Sequence, residues 1–138
     1  MSRPIEIAIA LVSALNSEFA GEFVAEFSWL AGRDLKDLAE LAVTVTPRAG
    51  TATAATRAAK TDEVIVDIGI QKKLGADIDG EAGDLADLAE EVFDWLWGER
   101  PVCAGARFIE AQIDPIAAPE HLQQLRVFTS LITVTYRV

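Results

Sequence analysis

At 138 residues the chain fits one domain and can bury roughly two-thirds of its unfolded surface, enough for a core without covalent staples. The lone Cys103 excludes an internal disulfide, and one cysteine with one histidine cannot build a structural zinc site; this usage suits a reducing compartment such as a cytoplasm. Net charge is -10, and between Lys73 and Arg100 acids occur without any base, a face that repels phosphate backbones and argues against nucleic-acid binding.

The first apolar run, IEIAIALVSAL, carries only Glu6 as a charge. It is too short to span a bilayer and lacks a convincing small-residue cleavage site, so a signal peptide is not expected, and no other stretch is suited to crossing a membrane. Ile5, Ile7, Ile9 and Leu11 alternate as in a strand, while Ile5, Ala8, Val12, Leu15 and Phe19 keep helical spacing. The alanines favour a helix over Pro4–Glu18, with Pro4 in its first turn and Asn16–Gly21 as its stop. Ile7 and Ile9 then widen the apolar surface, as deep burial or a neighbouring subunit requires.

Phe23, Ala25, Phe27 and Trp29 alternate with Glu22, Val24, Glu26 and Ser28, which predicts a first strand. Gly32 breaks it, and Asp34–Glu40 predicts one or two helical turns capped by Asp34. Leu41, Val43 and Val45 alternate with Ala42, Thr44 and Thr46, a second strand that Pro47 is expected to end. From Arg48 to Thr61 there is no large apolar residue and no acid, so a mobile loop over about 47–62, or an extended hairpin tip, is expected. Glu63–Leu74 is the clearest strand, with Val64, Val66, Ile68 and Ile70 on one face.

The loop GADIDGEAG leads into Asp84–Arg100, the organising stretch. Leu85, Leu88, Ala89, Val92, Phe93 and Leu96 share one side, with Trp95 and Trp97 at its margins, and Asp84, Asp87, Glu90, Glu91 and Asp94 fill the other. This amphipathic helix needs a flat partner, which the flanking strands supply. Its acids are a solvated face or an electrostatic docking face. Asp77, Asp79 and Glu81 are spaced somewhat like a calcium loop, but the glycine at position six and the glutamate at position twelve are missing, so no metal site is expected. GADIDG lacks the lysine of a phosphate loop.

Gly98 and Pro101 end the helix, and a fourth strand over Ala106–Asp114 sets Ile109, Ala111 and Ile113 opposite Phe108, Glu110, Gln112 and Asp114. Pro119–Leu125 makes a helical turn in which His121 reads as a solvated residue, with no nucleophile or orienting partner nearby in sequence. In the last strand Phe128, Ser130, Ile132, Val134, Tyr136 and Val138 share one face, while Val127, Leu131 and three threonines take the other; partly apolar faces on both sides suit a central strand or one covered by a subunit. The expected class is α+β: a single domain with a mixed, mainly antiparallel five-stranded sheet, an N-terminal helix and a long acidic amphipathic helix packed on one face. No catalytic, cofactor or metal-binding constellation emerges.

The N-terminal helix, FVAEFSWL followed by DLKDLAELAVTVTPR, the long pale loop, DEVIVDIGIQKKL leading into the acidic helix, and the closing RVFTSLITVTYRV form an order that resembles the tail terminator, or tail completion, proteins of long-tailed bacteriophages, the lambda-like group. The resemblance spans nearly the whole chain as a pattern. It implies a non-enzymatic virion protein of the tail neck, assembled in the host cytoplasm as a hexameric ring that caps the tail tube, stops its polymerisation and meets the head connector. Its partners would be itself, the tail tube protein and a head-completion protein. Some relatives are described as using a divalent ion in assembly, but no ligand position can be matched here. A ring needs two different patches that meet; Arg48, Arg57, Lys60, Lys72 and Lys73 against Asp77, Asp79, Asp84 and Asp87 are the candidate pair, fixing register more than affinity. A head-to-tail connector or other small tail-assembly protein is one rival reading, and a small α+β enzyme or ligand-binding domain another, although one His, one Cys and one Tyr leave such a pocket few polar groups.

Overall fold

A computed structural model describes residues 2–29, 40–54 and 60–138, with the backbone alone at 51–54 and 60–61. The expected Asp34–Glu40 helix therefore falls almost wholly outside the described residues. The elements run α1 (Arg3–Glu18), β1 (Ala25–Phe27), β2 (Ala42–Ala54), β3 (Lys60–Lys73), α2 (Ile78–Glu99), β4 (Arg107–Ile113) and β5 (Val127–Arg137), with a single wide helical turn at His121–Leu125. The strands form one sheet in the order β1-β2-β3-β5-β4; β1 is parallel to β2, and every other pair is antiparallel. This is the expected α+β class with a mixed, mainly antiparallel five-stranded sheet.

One contiguous core joins both helices to one sheet face. Paired residues of neighbouring strands share a face, so the register aligns Val43 with Ile70, Val45 with Ile68, Val66 with Val134, Ile68 with Ile132 and Val64 with Tyr136 on the helix side. Ile7, Ala8, Leu11 and Leu15 of α1 and Leu85, Ala89, Val92 and Leu96 of α2 close over them. Each fully buried Ile, Leu or Val contributes about 1.5–3 kcal/mol of transfer free energy, so these residues dominate stability. Relative to the expected stripe, α1 is rotated: Ile7 and Leu11 are buried, Ile5 and Val12 lie at the margin, and Ile9 faces outward. β5 is an inner strand, as its two partly apolar faces require.

Several boundaries differ from expectation. The first strand pairs over only three residues, Ala25–Phe27 against Val43–Val45. Pro47 does not end β2: the register shifts between Pro47 and Ala49, and a bulge is one of the few places where a ladder tolerates proline. Beyond the bulge the strand continues to Ala54 opposite Lys60, so residues 47–54 and 60–62 are the arms of an extended hairpin. The α2 helix starts at Ile78 and absorbs most of GADIDGEAG, because Asp77 caps it: its carboxylate accepts from Gly80 N at 3.2 Å. In β4 a second register shift between Phe108 and Glu110 turns Phe108 onto the same face as Ala111 and Ile113, paired with Tyr136. Strict alternation had put it on the opposite face. Among the described residues no helix is long and apolar enough to cross a membrane.

Candidate assembly surface

The positions named as candidate interface residues are spread along the hairpin and α2. Arg48 is held within its own chain: its Nε lies 2.8 Å from Asp67 Oδ2, and Thr133 Oγ1 donates to Asp67 Oδ1 at 3.0 Å. Asp67 is only 4% exposed, so this ion pair satisfies a buried carboxylate, while half of the Arg48 side chain still meets solvent. Arg57 lies outside the described residues. Lys60 opens β3 and Lys73 closes it; fourteen residues of strand separate the ends by roughly 40 Å at about 3.3 Å per residue. Lys72 is half-buried opposite Phe128, and Lys73 is exposed only a few residues before Asp77. Among the described residues, Arg48, Lys72 and Lys73 and the Lys60 backbone are therefore strung along the hairpin and do not form one patch. Asp77 is the α2 cap, Glu81 reaches back to the Gly75 N–H, and Asp79, Asp84 and Asp87 are exposed along α2.

His121 is not simply solvated. Its Nδ1 sits 2.7 Å from Thr129 Oγ1, and Gln71 Nε2 donates to the same hydroxyl at 3.2 Å. The Thr129 hydroxyl thus ties Gln71 of β3 to His121 of the turn that precedes β5. Cys103 Sγ and Tyr136 Oη are 3.3 Å apart in the core, and burial raises the pKa of both groups, so both stay protonated near neutral pH and the pair acts in packing. Among the described residues no three His, Cys, Asp or Glu side chains are placed to hold a metal.

The two edges of the sheet differ in chemistry. At the β1 edge, Trp29 is 66% exposed, its ring meets Phe27 edge-on at 5.3 Å, and it shares a shallow cleft with Arg48 and the first turn of α1 in which no acid takes part. At the β4 edge, a groove of about 300 Å³ runs between α2 and the strand. Phe93, Ile113 and Ile116 supply its apolar walls and Glu90 and Asp94 its acidic rim. Ile116 is 56% exposed there, a large apolar side chain that the monomer leaves in water. The sequence signal for this groove is faint: alternation places Ile113 in a strand but says nothing of Ile116, and only the chain's return after Asp114-Pro115 brings it beside α2.

Compared with known proteins, the chain matches no family model, and no curated protein is significantly similar to it.

Proposed function

We propose that this protein is a structural subunit that assembles into a ring, closes the end of a phage tail tube and forms the joint to the head connector. The observation that supports this reading best is the pair of unlike sheet edges, one carrying an exposed indole beside a cation and the other an apolar groove with an acidic rim. A closed ring of identical subunits requires two such non-identical patches on each copy. The β2–β3 hairpin adds a projecting arm: β1 covers only Val43–Val45 of β2, so the strand from Pro47 to Ala54 has a sheet neighbour on one side only among the described residues. Such an arm suits contact with a tube or connector. On this reading the work is done by surface complementarity, with the tail tube protein and a head-completion protein as partners and the tail neck of the virion as its place.

Light scattering across protein concentration and salt, with and without purified tail tubes, tests the proposal. The expected result is a closed ring with the cyclic symmetry that a heterologous contact generates, a hexamer as the resemblance to tail terminators implies, or a monomer that becomes a ring at the tube end. A monomer indifferent to tubes under every condition would refute it.

A further inference from the structure

Resting on the ring reading, we infer that the contact between neighbouring subunits is the insertion of Trp29 of one copy into the α2–β4 groove of the next. The donor and acceptor surfaces lie on opposite edges of the sheet, so the contact is heterologous and leaves each copy with one free knob and one free groove to continue the ring.

Three observations identify a second copy as the occupant. Trp29 is the large aromatic side chain that the fold leaves most exposed among the described residues, and tryptophan is the residue type most often found anchoring an interface by filling a pocket on its partner. The groove offers about 300 Å³ walled by Phe93, Ile113 and Ile116, apolar surface that an indole would cover and that would in turn desolvate the ring. Charge agrees as well: Arg48 borders the Trp29 cleft with half its side chain in solvent, and Glu90 and Asp94 border the groove, so the docked arrangement places a cation beside two acids. Two copies meeting groove to groove would instead bring like charges together. Trp97 donates its indole N–H to Ala111 O at 3.2 Å, a tie between α2 and β4, the two elements that flank the groove.

The test uses Trp29→Ala, which removes the knob, and Ile116→Glu, which puts a charge in the groove. Both positions are exposed, and far-ultraviolet circular dichroism with thermal unfolding verifies that each variant is folded. Each variant alone should be monomeric where the wild type assembles, with the dissociation constant between subunits raised at least about thirtyfold, as for loss of an anchoring residue. An equimolar mixture should form a one-to-one dimer and nothing larger, because one intact knob and one intact groove remain between two variant chains. Variants that assemble like the wild type would overturn this contact while leaving the ring reading in place. Monomeric variants whose mixture stays monomeric would also overturn it. A wild-type chain that stays monomeric with and without tail tubes would remove the ring reading itself, and the contact with it.

Discussion

Arg48 Nε donates to Asp67 Oδ2 at 2.8 Å from the bulge of β2 to the middle of β3. The carboxylate is buried and its other oxygen is taken by Thr133, so the arginine neutralises a charge that would otherwise sit uncompensated inside the sheet. Arg48→Ala should therefore lower unfolding stability by about 2–3 kcal/mol, below the 3–5 kcal/mol of a wholly buried pair because water reaches the arginine side. Asp67→Asn, which keeps an acceptor for Thr133 and removes the charge, should cost about 1 kcal/mol. Urea titrations with unchanged slope check both; Lys73→Ala, exposed at the strand end, should stay within about 0.5 kcal/mol of wild type.

Asn16 carries a second long-range tie. Its side-chain oxygen accepts from Ala25 N at 2.7 Å, and its amide donates to Ala25 O at 3.1 Å, so the last turn of α1 holds both main-chain groups at the start of the shortest strand. Asn16→Ala should cost about 2 kcal/mol by leaving two partly buried groups unpaired. Asn16→Asp should fall between, since a carboxylate accepts from the N–H but opposes the carbonyl. Hydrogen exchange at Ala25 should speed up more than exchange in β3, because the loss begins as local opening of an edge strand.

Elements whose signal is local were legible from sequence. Val64, Val66, Ile68 and Ile70 announced β3 because the strand is inner and buries one face throughout, and the α2 stripe from Leu85 to Leu96 was equally plain. Phe108 was assigned the wrong face because the β4 bulge adds one residue that alternation cannot register. Pro47 misled for the same reason, since its strand continues through a bulge. The role of Arg48 was hidden because its partner lies nineteen positions away and meets it only through the β2–β3 register. The Trp29 surface and the Ile116 groove were hidden for another reason: exposure of a single apolar side chain follows from how elements stop short of covering it, which periodicity does not encode.

Asp77 and Gly80 should show coupled substitutions. A Cβ at Gly80 would collide with the Asp77 carboxylate that caps α2. Asp77→Ala alone should cost about 1 kcal/mol through loss of the cap. Gly80→Ala should bring no gain in the wild-type background, because the new methyl displaces the cap. In the Asp77→Ala background the same change should stabilise by several tenths of a kcal/mol up to about 1 kcal/mol, the ordinary helix advantage of alanine over glycine. A double-mutant cycle by thermal or urea unfolding measures the difference, and additive effects would show that the cap is not the obstacle.

Cys103 and Tyr136 should make the fold less stable at alkaline pH. Burial raises the Cys103 thiol above its ordinary value of 9.0, against a smaller opposing effect of the Tyr136 hydrogen bond, and burial, assisted by the neighbouring Cys103, raises the Tyr136 phenol far above its ordinary 10.0. In the folded chain Tyr136 keeps its proton and Cys103 holds its proton more tightly than in the unfolded chain, where both groups titrate at their ordinary values. The unfolded state then binds fewer protons than the native state, so stability is fully present below about pH 9 and falls as pH rises; the Tyr136 phenol approaches about 1.4 kcal/mol per pH unit above its ordinary value, and the Cys103 thiol adds a decline of the same sign. Tyr136→Phe keeps the ring that meets Phe108 edge-on at 6.3 Å and removes one of the two titrating groups. Its stability should be lower near neutral pH, where the buried thiol has lost its partner, yet should decline less steeply above pH 10. Urea midpoints from pH 7 to 11 for the two chains read this directly, and parallel pH profiles would show that the phenol does not contribute to the decline.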